Sequence, residues 1–282
     1  MLDGYRKALE FAPLASSTRR MYVSQARRFL EWVGHIDAMP FDDDPNQAWT
    51  WAVREYRIHL KAEHKAPATI NATLGALNDL GTRTLEMQPL KLHYEDLPQA
   101  APRALDTATQ RRLLHSLEGA KARDRVIVLL GLLEGLRVGE IAALNIDDIS
   151  LSAKLGTIKV WHGKGNKSRE VPLHSELRKA LFIYLQGRKD GDALFIGRGE
   201  ERLSTRAVGQ IVIRAGKRAG IDNLTPHVLR HSCATNMIRA GVDIVQVADL
   251  LGHSSLDTTR RYSLPSAADR QKAIEAAMQI EG

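Results

Sequence analysis

The most informative stretch of this 282-residue chain is Thr225-Pro226-His227-Val228-Leu229-Arg230-His231. Thr225 is a good N-cap and proline suits the first helical turn, so a helix is predicted to begin here. His227 and Arg230 then share one face near the start of that helix. Because the N-terminus of a helix favours anions, the stretch predicts a phosphate site.

The same stretch also has the histidine spacing of a zinc-binding helix, at His227 and His231. The metalloprotease pattern needs Glu directly after the first histidine, and Val228 stands there. The cationic Arg230 would share the face with the metal. We therefore predict no metal.

A second candidate phosphate ligand is Arg137, in Glu134-Gly135-Leu136-Arg137-Val138-Gly139-Glu140. It follows a glycine turn after a predicted buried helix, Asp124 to Glu134. A guanidinium fixed there presents a rigid fork of donors to two oxygens of one phosphate. Glu140 can hold it in place. A purely structural Arg–Glu pair is the alternative.

A third candidate site lies in a segment whose apolar residues alternate, Ile146 to Leu173, which predicts a small antiparallel sheet. Its hairpin tip spans Gly163 to Ser168. The tip is not a P-loop, because Asn166 rather than Gly precedes Lys167-Ser168. A basic tip can enter a DNA groove, where Lys164 could donate a proton; a solvated loop is the alternative.

The fourth segment ends on a tyrosine and reads Leu251-Gly252-His253-Ser254-Ser255-Leu256-Asp257-Thr258-Thr259-Arg260-Arg261-Tyr262. Gly252 is predicted to end a helix that begins after Asp243, and His253 follows on the turn. Tyr262 ends a short polar helix. Considered alone, such a tyrosine is an amphipathic surface residue.

The first hundred residues predict a helical bundle followed by a linker. Helices are expected from the Ser16-Ser17-Thr18 cap to Val33, from Pro45 to Ala62 and from Ala68 to Leu85. Pro89, Pro98 and Pro102 interrupt helices, so the predicted organisation is a domain at 1–88, a linker at 89–103 and a second domain at 104–282. A cap at Asp106 or Thr107 opens the second domain, which is mostly α with a small antiparallel sheet.

Charge divides the chain in the same way. The net charge is +7 overall. Residues 1–100 hold 12 Lys/Arg and 13 Asp/Glu, a net of −1, whereas residues 101–282 hold 28 and 20, a net of +8. A basic domain indicates a polyanionic partner, most often nucleic acid.

Several protein classes do not fit the composition. The longest apolar run, Val126 to Leu133, is far shorter than the roughly 20 residues that a membrane span needs. The first residues lack the apolar core of a signal peptide. The single Cys233 forms no internal disulfide. We therefore expect a cytoplasmic protein.

Together the four segments resemble one family, the tyrosine recombinases or phage-integrase family, and within it the Xer-like recombinases and the integrases of phages and transposons. That family has an Arg in G-L-R-x-x-E, a Lys on a β-hairpin, H-x-x-R, a second His after L-G, and a Tyr nine residues later. The matches, in the family's order, are Arg137 with Glu140, Lys164, His227 with Arg230, His253 and Tyr262. Glu134 departs from the pattern, since many relatives have Thr there.

The resemblance implies a site-specific recombinase that cuts and rejoins DNA through a 3′-phosphotyrosine intermediate, in DNA integration or in resolution of replicon or transposon dimers. Tyr262 would be the nucleophile and His227 the base. Arg137 and Arg230 would clamp the non-bridging oxygens, Lys164 would protonate the leaving 5′ oxygen, and His253 would bond a phosphate oxygen. Neither a metal nor ATP is required.

The resemblance also implies the architecture and the partners. The N-terminal bundle would be of the SAM-like core-binding type and form half of a clamp around double-stranded DNA. The expected DNA-contacting residues are Arg19, Arg20, Arg27 and Arg28 in the bundle, and Lys167 and Arg169 in the hairpin. A tail helix, Ala267 to Ile280, would dock on a neighbouring subunit. The assembly would be a homotetramer on two sites, alone or with a second recombinase or accessory proteins.

Two other functions are compatible with the same sequence. A type IB topoisomerase or a telomere resolvase uses the same chemistry, and would relax supercoiled DNA that lacks any specific site. A DNA-binding protein that only regulates or packages would cleave no substrate.

Overall fold

The computed structural model describes residues 1–36, 43–97, 104–152, 154–161, 168–188, 193–197 and 199–252. The chain divides into two compact units, Met1–Gln99 and Ala100–Gly282. Helices dominate and one small antiparallel sheet is present, which confirms the predicted fold class. Within the described ranges, every helix is too short or too polar to cross a membrane.

The described part of the first unit holds four helices: α1 (Leu2–Glu10), α2 (Ser16–Val33), α3 (Pro45–Ala62) and α4 (Pro67–Thr84). The last three match the predicted helices to within one residue. Helix α1 was not predicted. It buries Tyr5 and Leu9 against the bundle, and the Tyr5 hydroxyl donates to Oδ1 of Asp79 at 2.8 Å.

Helix α2 begins without the predicted side-chain cap. Its N-cap is Ala15, and the helix starts with no side-chain hydrogen bond to its first turn. Packing compensates, because Phe29 of α2 is buried edge-on against Trp49 and Tyr56 of α3, with ring centroids 5.3 Å apart in both pairs. Such aromatic pairs add about 1 kcal/mol each to the burial itself.

The described segment that follows α4, residues 85–97, packs on the first unit without forming a helix or strand. The backbone N–H of Leu90 donates to Oδ1 of Asn78 at 2.8 Å. Glu95 accepts from Arg57 at 2.6 Å and from Lys61 at 2.9 Å. The first part of the predicted linker is therefore fastened to the helices that precede it.

The described part of the second unit contains seven helices: α5 (Thr107–Ser116), α6 (Ala122–Leu132), α7 (Val138–Ala143), α8 (Ser175–Leu185), α9 (Thr205–Arg218), α10 (Pro226–Arg239) and α11 (Ile244–Leu251). Asp106, one of the two residues predicted as the N-cap, caps α5. The residues Val126 to Leu132 of α6 are buried, and α6 packs against α8, α9 and α10. This central helix holds the elements that carry the predicted site.

The described sheet has the order β1 (Ile149–Leu151), β2 (Gly156–Trp161), β3 (Ser168–Pro172), and both pairings are antiparallel. Ile158 pairs with Val171, and both are buried, whereas the side chains that alternate with them point away from the core. The predicted sheet is therefore confirmed. The tip between β2 and β3, residues 162–167, lies outside the described residues.

Candidate active site

Arg137 lies on the turn between α6 and α7. The turn depends on Gly135, which has a φ of +64°, a conformation that glycine adopts without the steric cost of a Cβ. Arg137 then becomes the N-cap residue of α7, and its backbone N–H donates to Oε2 of Glu140 at 2.9 Å. Its Nη1 donates to Oε1 of the same carboxylate at 2.9 Å.

Arg230 reaches the same turn from α10. Thr225 caps that helix through its Oγ1, which accepts from the N–H of Val228 at 3.3 Å, and Pro226 occupies the first turn, as predicted. Arg230 is only 4% exposed. Its Nη1 donates to the carbonyl oxygen of Gly135 at 2.6 Å.

The carbonyl end of α11 is where the two arginines meet. This helix ends at Gly252, as predicted, and the glycine adopts the left-handed conformation. Nη2 of Arg230 donates to the carbonyl oxygen of Leu251 at 2.7 Å, and Nη1 of Arg137 donates to the same oxygen at 3.3 Å. Nη2 of Arg137 donates to the carbonyl oxygen of Gly252 at 2.7 Å. Cations at this end also complement the helix dipole.

Glu140 is the anion at the centre of these contacts. Its side chain is 10% exposed. Burial alone would raise its pKa, but the hydrogen bond and charge of Arg169, followed by the backbone N–H and charge of Arg137, hold the pKa at about 2. Glu140 is therefore a carboxylate throughout the physiological range. Nη1 of Arg230 lies 4.0 Å from its Oε2.

Arg169, which the sequence predicts to contact DNA, lies against this carboxylate. It is the second residue of β3, and its side chain is 11% exposed. Nη1 and Nη2 donate to the two oxygens of Glu140 at 3.0 and 2.9 Å. Nε donates to the carbonyl oxygen of Leu250 at 2.8 Å.

Two histidines of α10 differ in their environments. The ring of His227 is exposed at the start of the helix, and its centroid lies 6.4 Å from that of His231. His231 is half-buried. Burial, and then the neighbouring His227 and Arg230, lower the pKa of His231 to about 4. His227 is therefore the more accessible of the two to a substrate.

Glu134, the departure from the family pattern, points away from the arginines. Its side chain is buried, and Oε1 accepts from the backbone N–H of His174, between β3 and α8, at 2.8 Å. Burial raises its pKa to about 7 against the lowering effect of that hydrogen bond. Glu134 therefore stabilises the junction between β3 and α8.

Burial and the nearby Glu134 raise the pKa of the Cys233 thiol to about 12, so this thiol is inert.

The remaining predicted residues fall into two groups. Lys164, Lys167, His253, Tyr262 and the predicted tail helix lie outside the described residues. Arg19, Arg20, Arg27 and Arg28 all lie on α2 in the first unit. Arg20, Arg27 and Arg28 are exposed, whereas Arg19 donates to the backbone carbonyls of Leu14 at 2.9 Å and Glu10 at 3.0 Å.

A basic surface on α9 was missed by the sequence reasoning. It comprises the exposed Arg206, Arg214, Lys217 and Arg218, here called the α9 stripe. At about 100° per residue these four positions span roughly 120° of the helix. The helix contains no acidic residue. Four cations and no carboxylate within 14 residues indicate a basic surface, and this pattern could have been recognised from the sequence alone.

Comparison with known proteins gives one family. The model of the phage integrase family matches residues 103–268. The tyrosine recombinase XerA of Thermococcus kodakarensis is 33% identical over 286 residues, which cover 100% of this chain and 96% of the relative.

Solved structures agree with that match. The crystal structure of XerA recombinase is 26% identical and covers 98% of this chain and 97% of its own, with a TM-score of 0.56. The structure of a lambda integrase tetramer bound to a Holliday junction covers 93% of this chain and 75% of its own, at 20% identity and a TM-score of 0.66, and shares the fold.

Proposed function

Because this chain belongs to the phage integrase family and is a site-specific tyrosine recombinase of the Xer type, we propose that Arg137 and Arg230 bind the scissile phosphate of a DNA site and that Tyr262 attacks it. One observation carries the proposal. Two guanidiniums from separate elements both donate to the carbonyl oxygen of Leu251, two residues before His253. Their convergence places two fixed cations at the start of the segment that leads to Tyr262.

Arg137 has donors to offer a phosphate. A guanidinium carries five N–H donors, and Arg137 uses three of them on partners among the described residues. Its side chain remains 40% exposed. Glu140, already a carboxylate, fixes its orientation without needing to move when substrate binds. Such preorganised donors stabilise the charge that grows on a phosphate in the transition state.

The proposed cleavage is a transesterification. The phenol oxygen of Tyr262 bonds to phosphorus, and the bond from phosphorus to the 5′ oxygen breaks. His227 accepts the phenol proton, and Lys164 gives a proton to the leaving 5′ oxygen. One phosphoester bond forms for each one that breaks, so the 3′-phosphotyrosine conserves the bond energy. The 5′-hydroxyl of another strand can therefore attack it and rejoin the DNA without an energy source.

A proton acceptor is needed because the reference pKa of tyrosine is about 10. His227 is exposed at the positive end of α10, whereas His231 is half-buried and its lowered pKa makes it a poorer base near neutral pH. We therefore assign the base to His227. His253, one residue after the anchored Gly252, would donate to a phosphate oxygen.

DNA contacts are proposed for both units. The exposed Arg20, Arg27 and Arg28 of α2, the α9 stripe and Lys167 would bind phosphates or bases. We also propose a homotetramer on two sites, which the resemblance to the tetrameric lambda integrase complex supports, and a cytoplasmic location.

The proposal is tested on site DNA selected from a randomised duplex pool and nicked so that cleavage traps the covalent complex. Arg137→Ala should lower the rate of adduct formation by about 10²–10³-fold, since one such donor contributes about 3–4 kcal/mol. Arg230→Lys keeps the charge but loses the fork, and should also be slow. Lys179→Ala is the control, because this exposed residue of α8 pairs only with Glu176 among the described carboxylates.

Adduct formation by Arg137→Ala at the wild-type rate would contradict the phosphate site. Relaxation of plasmids that lack the selected site would favour a topoisomerase, and a wild-type protein that binds the site but never forms an adduct would favour a regulator.

A further inference from the structure

Arg169 makes contacts that the cleavage scheme above does not use. Its guanidinium joins three elements: β3, which carries it; α7, through both oxygens of Glu140; and α11, through the carbonyl oxygen of Leu250. Each of these elements adjoins a segment with a proposed catalytic residue. The hairpin with Lys164 precedes β3, Arg137 precedes α7, and His253 follows α11.

The acceptors of Glu140 are filled by two arginines. An ionised carboxylate offers about four lone-pair positions. Oε1 accepts from Nη1 of Arg137 and Nη1 of Arg169. Oε2 accepts from the backbone N–H of Arg137 and Nη2 of Arg169. Arg169 therefore supplies half of the donors that the described residues direct at this carboxylate.

Loss of Arg169 would free two acceptors on a carboxylate that is 10% exposed. A buried carboxylate with unfilled acceptors is costly, so it recruits other donors or takes up a proton. Among the described residues, the further cation within reach is Arg230, whose Nη1 lies 4.0 Å from Oε2. Glu140 would then compete with the scissile phosphate for the guanidinium of Arg230.

We propose that Arg169 is a positioning residue for DNA cleavage: it occupies Glu140 and fixes the end of α11, so that Arg137 and Arg230 remain directed at the phosphate. This inference rests on the proposed function of those two arginines. It replaces the direct DNA contact predicted for Arg169, whose side chain is 11% exposed and directed at Glu140 and Leu250.

The test measures adduct formation on the nicked site DNA at saturating protein, together with DNA affinity as a function of salt. Arg169→Met should slow adduct formation by about 10²-fold, the effect expected when a reacting group is misplaced by about 1 Å. Its affinity for the site and its salt slope should stay those of the wild type. Lys159→Met, which removes an exposed cation from the neighbouring β2, is the matched control and should cleave within twofold of the wild type.

A pH profile separates positioning from general loss of structure. Without Arg169, the pKa of Glu140 should rise, because burial is no longer opposed by its main partner. The acid limb of the cleavage rate should therefore move to higher pH in Arg169→Met. The double variant Arg169→Met/Glu140→Gln lacks the carboxyl group, so the acid limb of its cleavage rate should not move to higher pH.

Three outcomes would overturn the inference. One is a wild-type cleavage rate in Arg169→Met. The second is a weakened affinity with a salt slope reduced by about 0.9, which marks a lost phosphate contact. The third is an unshifted acid limb. If Arg169→Met does not fold, Arg169→Lys, which cannot bridge both oxygens of Glu140, carries the same rate test. A wild-type protein that forms no adduct would instead overturn the proposed function itself.

Discussion

Arg230 donates from Nη1 to the carbonyl oxygen of Gly135 at 2.6 Å, and Gly135 precedes Arg137 by two residues. The two arginines are therefore joined through a single tight turn as well as through the carbonyl oxygen of Leu251. A change in the backbone of that turn moves both guanidiniums together. A Cβ at Gly135 would therefore disturb both guanidiniums.

Gly135→Ala should destabilise the protein and slow cleavage. The added Cβ would lie 2.4 Å from Cδ2 of Leu251 and 3.3 Å from Sγ of Cys233, in a backbone with a φ of +64°. The left-handed conformation alone costs about 1–2 kcal/mol for a residue with a Cβ. We expect a loss of about 2–4 kcal/mol in the free energy of unfolding, measured by denaturant titration.

Gly139→Ala is its matched control. Gly139 lies in α7, is exposed, and a Cβ there would meet nothing within 4 Å. Alanine in such a helical position should stabilise by about 0.5–1 kcal/mol. Equal stabilities of the two variants would contradict the role given to the Gly135 turn.

Glu134 should give the protein a stability that falls as the pH rises. Its pKa is raised from 4.5 in the unfolded chain to about 7 in the folded one, so the folded state binds the extra proton between these values. The contribution is fully present below pH 4.5 and is lost as the pH rises towards 7. It amounts to at most about 3 kcal/mol.

The comparison with Glu134→Gln isolates this effect from the other titrating groups. Glutamine keeps an acceptor for the backbone N–H of His174 but cannot ionise. The variant should gain stability relative to the wild type as the pH increases from 4.5 to 7, as followed by urea unfolding at several pH values. A difference that stays constant with pH would show that Glu134 does not titrate in this range.

Removal of cations from the α9 stripe should weaken DNA binding through electrostatics. Arg206→Ala and Arg214→Ala should each lower affinity for DNA and reduce the slope of log affinity against log salt by about 1. Stability should change little, since both side chains are exposed. Lys179→Ala on α8 serves as the control. An unchanged salt slope in both stripe variants would show that α9 does not contact DNA.

Arg19 and Arg27, both predicted to contact DNA, should respond differently to alanine. Arg19 holds the connection between α1 and α2 through the carbonyls of Leu14 and Glu10, so Arg19→Ala should cost about 1–2 kcal/mol of stability. Arg27 is exposed, and Arg27→Ala should lower DNA affinity at unchanged stability. Thermal unfolding and DNA titration of both variants check this. A loss of DNA affinity in Arg19→Ala and a loss of stability in Arg27→Ala would contradict the roles given to the two residues.

Most helices and the sheet could be predicted from the sequence because the residues that mark each element lie within one turn or one helix. Thr225 marks the start of α10 by its side-chain hydroxyl, Gly252 marks the end of α11 by its left-handed backbone, and the structure confirms both. The nine-residue α1 escaped prediction because its two buried residues, Tyr5 and Leu9, are too few to set a clear period in so polar a segment.

Partners across the chain could not be predicted in the same way. Arg169 and Glu140 are separated by 29 positions, and Glu134 and His174 by 40. No periodicity encodes which buried carboxylate a given arginine will meet, because that depends on how α7, β3 and α11 pack. A basic residue beside a hairpin tip therefore predicted a DNA contact, whereas the fold directs it inward.

The central claim is that Tyr262 forms the covalent link to DNA, and Tyr262→Phe tests it most directly. The substitution removes one hydroxyl oxygen, so site affinity should remain within about twofold of the wild type while the nucleophile is lost. On the nicked site DNA, denaturing gels should show an adduct for the wild type and none for Tyr262→Phe. An adduct of wild-type yield in the phenylalanine variant would mean that another residue attacks the DNA.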